Sequence, residues 1–324
     1  MSAPDVTVVI PSHARQLRLR WLLNSLEEQE LDRERFEVVV VHDYDDRDTH
    51  DIIERHPLTA GGTLRHVRIQ PGTGQPARQR NLGWRAARAP LVAFTDDDCR
   101  ADPDWLAAYL AQAQPGSEVV LQGVTKTEPY EYETWAAPHV RTIDIPHPPN
   151  EFFQTCNILY PRSVLERLGG FDETLTSGED TDLALRALAG GVGIEGAPAA
   201  VVYHAVEEYS LPRMLRMSWK WRDLVRLRKR HPQLAQTGEW TLGVFWKASH
   251  WQLLLAAAGA GLARRFPPAL LLAAPYLRAK LLRRGNQPRQ LAVAAAELPG
   301  QALVDAGEIA AMAAGSIEHR ALVL

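Results

Sequence analysis

The sequence predicts an α/β fold with a mostly parallel sheet and flanking helices, followed by a helical C-terminal region. Short β-branched apolar runs alternate with helically spaced leucines, the runs end in polar clusters, and the composition changes near residue 210. A chain of 324 residues, 46% apolar and 23% charged, buries a sizeable core and is not disordered. Its 36 Lys and Arg against 39 Asp and Glu leave a net charge of -3, which excludes whole-chain attraction to nucleic acid or anionic membrane. Two cysteines, Cys99 and Cys156, fit a reducing compartment and exclude a disulfide scaffold or a zinc site of several cysteines. The N-terminal MSAPDVTVVIPSHAR has no signal-peptide pattern, which points to a cytoplasmic location.

Val6 to Pro11 is a β-branched run ending at a proline, the pattern of a strand buried on both faces. Leu19, Leu22, Leu23 and Leu26 then fall at helical spacing within 17–30. Phe36 to Val41 predicts a second buried strand, followed by an acidic loop over 42–48. Arg65 to Ile69 predicts a third strand, Ala77 to Ala89 a helix, and Leu91 to Thr95 a fourth strand running into Asp96, Asp97 and Asp98. A helix over 104–114 and a strand over 119–124 come next. Residues 130–150 carry four prolines and predict a long loop, a kind of segment that is commonly functional. A strand over 154–160, a helix over 162–168, a Gly169-Gly170 turn, a helix over 179–189 and a short strand over 199–204 complete a domain spanning 1–210. Ligands of such sheets bind beyond the carboxyl ends of the strands, where Ser12 and His13, Asp43, and Asp96 to Asp98 lie.

Three consecutive carboxylates repel one another, so a cation is expected to compensate them. In an extended or tight-turn geometry Asp96 and Asp98 share one side and Asp97 takes the other. Two hard oxygen ligands in an open coordination sphere suit Mg²⁺ or Mn²⁺ holding a phosphorylated substrate; the competing reading is a solvated acidic loop capping the next helix. His204, after Val201-Val202-Tyr203, reads from its residues as a strand-end surface histidine or as a ligand. Glu179 and Asp180 open a helix, where the dipole favours anions, so simple capping is one reading of them.

The ordered segments VTVVIPSHAR, VVVHDYDD, ARQRNLG, AFTDDDCRADPDWL, GGFDE, GEDTDLALRA and VVYH together resemble a family 2 glycosyltransferase of the GT-A fold, a Rossmann-like architecture. The resemblance covers about residues 5 to 205 and its specificity lies in the ordered combination. It implies that Pro11 walls the nucleotide pocket and that Asp43 bonds the base. His42 departs from the aspartate usual in the family, which puts base selectivity in doubt, and Gln79 stands for an alanine. It implies donor contacts for Arg80 and Asn81, with Arg78 a weaker candidate, and a donor-sugar contact or a core role for Asn157. Asp96 and Asp98 match the Asp-x-Asp motif, Asp98 as the more direct metal ligand and Asp96 nearer the ribose; Cys99 stands where an acid is common. His204 would complete the Mg²⁺ or Mn²⁺ site. Asp180 would be the base that deprotonates the acceptor hydroxyl, with Glu179 positioning it, while Asp182 faces away. Tyr132 and Trp135 would stack on a sugar or anchor their loop.

From 211 to 324 the resemblance says little. Leu211 to His231 holds eight Lys and Arg and one acid, interleaved with Leu215, Trp219, Leu224 and Leu227, and reads as a basic amphipathic helix. The apolar run over 251–263 is short of a bilayer span, and Pro267, Pro268 and Pro275 break the next one. Peripheral attachment to the cytoplasmic membrane face follows as an expectation, with Trp240, Trp246 and Trp251 at interfacial depth; packing into an oligomer such as a homodimer is the alternative. The whole reading is a metal-dependent inverting glycosyltransferase using a nucleotide-diphosphate sugar, uridine diphosphate by default, and a carbohydrate or lipid-linked acceptor. A nucleotidyltransferase is disfavoured because no glycine-rich triphosphate loop follows Pro11, and an inactive GT-A-like binding protein is disfavoured by the intact acidic pairs.

Overall fold

The computed structural model describes residues 3–45, 47–114, 116–132, 140–238 and 240–324, and it divides into two units between Glu207 and Glu208. In the first unit the strands are β1 (Val6–Ser12), β2 (Phe36–His42), β3 (Leu64–Arg68), β4 (Leu91–Thr95), β5 (Cys99–Ala101), β6 (Val119–Thr127), β7 (Val140–Arg141), β8 (Asn157–Pro161) and β9 (Gly193–His204). Its helices are α1 (Gln16–Glu27), α2 (Arg47–Glu54), α3 (Pro57–Ala60), α4 (Pro76–Ala86), α5 (Trp105–Gln112), α6 (Arg162–Leu168) and α7 (Glu179–Ala189). Eight of the strands form one sheet in the order β3-β2-β1-β4-β8-β6-β9-β5.

The sheet is mixed rather than uniformly parallel. β1 pairs in parallel with β2 and β4, β2 with β3, and β6 with β9; β8 runs antiparallel to β4 and β6, and β5 antiparallel to β9. The parallel half is the part whose runs alternate with helices of crossover length. β1 and β2 are buried along their whole length, as strands covered on both faces must be, and α1 covers the sheet with Leu19, Leu22, Leu23 and Leu26. The acidic loop after β2 is shorter than the sequence suggests, because helix α2 begins at Arg47. Three-residue β5 escapes a periodicity argument altogether, and β9 is a 12-residue strand where only its last part reads as one.

The second unit is helical: α8 (Leu211–Ser218), α9 (Arg222–Arg230), α10 (Ala248–Leu262), α11 (Ala274–Leu281) and α12 (Pro288–His319), with Pro299 inside α12. The basic stretch is two helices joined by a 3-10 turn over Trp219–Trp221, and α9 buries Leu224, Val225 and Leu227. Gly315 of α12 makes this close approach possible, since a Cβ there would stand 2.5 Å from the Arg222 carbonyl. Of the tryptophans expected at interfacial depth, one is buried and two are half-buried. Trp246 is buried with its ring 4.3 Å from that of Trp221, Trp251 is half-buried, and Trp240 lies under the Arg228 guanidinium. Among the described residues no helix is long and apolar enough to cross a membrane.

Candidate active site

The carboxyl ends of β1, β2 and β4 converge because adjacent parallel strands carry their polar terminations in register. Buried Gln79 ties two of them together, donating through Nε2 to the carbonyls of Ser12 at 2.9 Å and Val41 at 3.0 Å. An alanine could make neither bond, so the departure at Gln79 has a structural use. Ser12 Oγ donates to Asp97 Oδ2 at 2.8 Å, the His13 N–H reaches the same oxygen at 3.1 Å, and His13 Nδ1 meets Asp43 Oδ1 at 2.7 Å. The Gly74 N–H donates to Asp43 Oδ2 at 3.0 Å, and a Cβ at Gly74 would stand 2.7 Å from that oxygen. Pro11 is buried in β1 opposite Val41.

Asp96, Asp97 and Asp98 turn tightly, the Cys99 N–H donating to the Asp96 carbonyl at 3.1 Å, and their carboxylates take different partners. Asp96 Oδ1 accepts from Arg80 at 2.7 Å, and the same guanidinium donates to Glu179 Oε1 at 2.8 Å. Arg80 is buried and joins the end of β4 to the first turn of α7. Burial works against the charge of Asp96, yet Arg80 outweighs it and holds the carboxyl below its ordinary range. Asp97 is turned inward; burial, and Asp98 beside it, push its carboxyl up to about 6 against the opposing pull of Arg15. Arg15 spans Asp97 Oδ1 at 3.0 Å and Asp98 Oδ2 at 2.9 Å. Part of the cation that three adjacent carboxylates demand is thus supplied by the chain itself, through Arg15 and Arg80. Only the compositional argument for a cation hinted at Arg15, which ends the first matching segment.

The other oxygen of Asp98 differs. β5 pairs Cys99 with His204 of β9, so Asp98, one residue earlier, lies beside the imidazole. His204 Nδ1 is 2.8 Å from the Ala205 carbonyl, an acceptor only, so this nitrogen carries the proton and Nε2 presents a lone pair. Nε2 stands 3.6 Å from Asp98 Oδ1, and that buried oxygen has no hydrogen-bond partner. A buried carboxylate oxygen without a donor, beside a ring nitrogen that in the neutral imidazole offers a lone pair, fits a hard or borderline cation. Cys99 Sγ lies in the same cluster, but burial pushes its thiol up, away from the thiolate that metals prefer. Asp96 is not gathered with Asp98 and His204; its carboxylate is turned to Arg80.

Asp180 sits in the first turn of α7, entered through Gly178 at φ 80°. Its Oδ1 accepts from the Thr181 N–H at 2.9 Å. Burial first, then Glu179, pushes its carboxyl up to about 7, against Arg80 and the Thr181 bond. Asp182 points away, as expected, and its Oδ2 accepts from Arg186 at 2.8 Å while Arg186 also holds the carbonyls of Leu168 and Gly170.

Asn81, expected as a donor contact, and Asn157, expected as a donor-sugar contact or a core residue, spend their amides inside the fold. Asn81 is buried and makes four bonds: its amide donates to the Phe171 carbonyl and Glu173, and its oxygen accepts from Trp84 Nε1 and the Phe171 N–H. Gly170 (φ 76°) closes against it, since a Cβ there would stand 2.3 Å from Asn81 Oδ1. Asn157 is wholly buried, donating to the carbonyls of Val124 and Ala200 and accepting from Trp105 and Tyr109. Both amides are saturated and hold turns and strands, the core role that short polar motifs cannot be distinguished from in sequence. Arg78 and Tyr132 are exposed, and Trp135 lies outside the described residues.

The profile of Glycosyl transferase family 2 matches residues 7–169, and that of Glycosyl transferase family group 2 matches 91–282. The chain belongs to glycosyl transferase family 2. It is 29% identical over 210 residues to the pre-mycofactocin glycosyltransferase of Mycobacterium tuberculosis, covering 62% of this chain and 42% of the relative. Identity to the validoxylamine A glucosyltransferase of Streptomyces hygroscopicus subsp. limoneus is also 29%, over 223 residues, 58% of this chain and 49% of the relative. The chain therefore spans about half the length of the curated relatives it matches. In fold it is similar to the mannosyltransferase PcManGT of Pyrobaculum calidifontis, solved with GDP-Man and Mn²⁺, at TM-score 0.59 and 24% identity over 97% of this chain and 88% of the other. Staphylococcus aureus TarS, solved with UDP, superposes at TM-score 0.52 and 19% identity over 98% and 92%. The GT-A fold follows.

Within this family 2 chain the departure at His42 has a physical consequence. His42 is buried at the end of β2, with Nε2 3.0 Å from His66 Nδ1 and its ring 5.5 Å from that of His50. Burial first, then His66 and His50, pushes its imidazole down to about 4. Where an acid would accept hydrogen bonds, this chain has a neutral ring.

Proposed function

We propose that this glycosyltransferase transfers a sugar from a nucleotide-diphosphate donor to an acceptor hydroxyl by a single displacement that inverts the anomeric centre. The observation that carries the reading is Arg80. It bonds Asp96 and Glu179 at once, which holds the end of β4 and the opening of α7 together across the site. Asp180, pushed up to about 7, takes the acceptor hydroxyl proton as that oxygen bonds the anomeric carbon; the bond to the diphosphate breaks and its electron pair leaves with the diphosphate. Glu179 and Arg80 keep Asp180 in place. Asp98 and His204 would hold Mg²⁺ or Mn²⁺, which when bound neutralises the diphosphate. Arg15 fixes Asp98 through Oδ2 and leaves Oδ1 turned to His204.

Pro11 and Asp43 form the nucleotide wall, with uridine diphosphate as the default carrier. Neighbours solved with GDP-Man and with UDP support a nucleotide donor without choosing the base. The acceptor is a carbohydrate or lipid-linked hydroxyl. The deciding experiment screens nucleotide sugars for Mn²⁺-dependent transfer or hydrolysis and reads the product anomer by NMR. An inverted product supports direct displacement, and a retained configuration refutes it.

A further inference from the structure

The second unit carries an apolar surface with an unusual charge pattern. Between Trp240 and Ala296 the sequence contains no Asp or Glu, yet it holds Lys247, Arg264, Arg265, Arg278, Lys280, Arg283, Arg284 and Arg289. Lys247, Lys280, Arg283 and Arg284 pair with carboxylates of α12. Arg264, Arg265, Arg278 and Arg289 are exposed and have no carboxylate partner among the described residues. Beside them α10 is apolar on its outward side as well. Its exposed positions Leu254, Ala257, Ala258, Gly261 and Leu262 recur at helical spacing, so an apolar stripe faces outward. Along α12, Pro299, Leu303, Ala306 and Ala310 repeat the pattern, and an apolar groove of about 640 Å³ runs between Leu254 and Leu303.

The turn after α10 exposes the largest side chains: Phe266 is 62%, Leu270 58% and Leu271 75% exposed. It is anchored, since Gly259 of α10 lets the Ala269 carbonyl approach to 2.5 Å of where a Cβ would be. Ordinary soluble surfaces scatter such residues singly, whereas here they lie within one six-residue stretch and are flanked by unpaired arginines.

We propose that this face docks on an anionic lipid bilayer, with Leu262, Phe266, Leu270 and Leu271 entering the headgroup boundary and Arg264, Arg265 and Arg278 meeting lipid phosphates. The charge decides between occupants. In a two-fold contact with a second copy the same patch meets itself, which would set these arginines near their symmetry mates with no acid on the patch to separate them. Anionic phosphates at the depth of the headgroups match them. Insertion is shallow, because α10 is about 22 Å long against a hydrocarbon core of about 30 Å. The basic helices α8 and α9 are not the docking face, since α9 turns its apolar side inward.

The test is flotation of the full-length protein with vesicles of phosphatidylcholine alone and of phosphatidylcholine with phosphatidylglycerol. Wild-type protein should float with the anionic vesicles and be released at high salt. Arg264→Gln with Arg265→Gln should weaken partitioning about 25-fold, roughly fivefold per cation. Leu270→Asp with Leu271→Asp should abolish it, with circular dichroism unchanged because both sites are exposed. Binding that survives both double variants but is lost in Arg213→Gln with Arg216→Gln overturns the assignment, as does wild-type protein that ignores both vesicles. A dimer in sedimentation that Leu271→Asp converts to monomer, without vesicle binding, would make the face a contact between copies. None of these readouts depends on transferase activity, so failure here leaves the donor and base assignments standing.

Discussion

Among the described residues two clusters set a buried histidine against buried carboxylates, and they are finished differently. In the helical unit Glu308 accepts from Lys247 at 2.9 and 3.0 Å and lies 3.1 Å from His250 Nε2, while Asp305 takes Tyr276 at 2.8 Å and Lys280 at 2.6 Å. Each carboxylate has its own ammonium, so charges balance and α10, α11 and α12 are tied together. In the α/β unit Asp96 and Asp97 are likewise satisfied, but Asp98 Oδ1, 3.6 Å from His204 Nε2, is buried without a hydrogen-bond partner. A closed network holds helices; an open one at the carboxyl end of a sheet invites a cation. The same residue types therefore carry different meanings, and whether each carboxylate oxygen has a donor distinguishes the two.

The largest effect should come from the site's own base. Asp180→Asn keeps the shape but cannot accept the hydroxyl proton, so transfer should fall by a factor of about 10² to 10⁴ while donor binding persists. Initial rates with calorimetric donor binding check this, and transfer near the wild-type rate would reduce Asp180 to a helix-terminal acid.

Arg80→Met should act next on stability. It leaves Asp96 and Glu179 without their shared cation, and breaking a buried pair costs about 3–5 kcal/mol. Denaturant unfolding measures it; a loss under 1 kcal/mol, near the value of an exposed pair, would show that Arg80 is not the link between β4 and α7.

Glu308→Gln should separate the clusters. The closed network predicts a stability loss of about 1–3 kcal/mol with transfer rate unchanged. Glu308 is held below its ordinary range, against burial, by His250 and Lys247, so its contribution is present above the ordinary glutamate pKa and is lost as pH falls through the depressed folded-state value. Thermal melts from neutral to acidic pH should show the variant's deficit shrinking as the acid limit is approached.

The smallest effect is a pH limb. With Asp180 pushed up to about 7, kcat/KM should fall below pH 7 by up to tenfold per unit, as the base takes up its proton. Asp180→Asn should flatten that limb; a limb that persists belongs to another group.

Much of this was legible in the sequence, and the reason is local. β-branched runs fix β1, β2 and β4, and strand-end acids identify Asp43, Asp96 and Asp98 because polar residues there have nowhere to go but the ligand face. Chain-distant partners were not legible. Arg15 meets Asp98 and Arg80 meets Glu179 only through tertiary closure, and β5 is too short for periodicity to reveal, although its pairing is what brings His204 to Asp98. Asn81 and Asn157 were ambiguous for the opposite reason. An asparagine's four hydrogen-bonding positions serve a turn or a core as well as a ligand, and only the contacts tell which. The run that forms α10 showed only that it is too short to span a bilayer, since composition does not tell which of its sides faces outward.

The most direct test is calorimetric titration of Mn²⁺ in the presence of uridine diphosphate, for wild-type protein, Asp98→Asn, His204→Ala and Glu308→Gln. An open Asp98 and His204 pair predicts one bound ion in wild type and Glu308→Gln, with affinity reduced at least about tenfold in the other two because each loses a ligand from the site. Equal affinity in all four proteins, or uridine diphosphate binding unaffected by chelator, would contradict it.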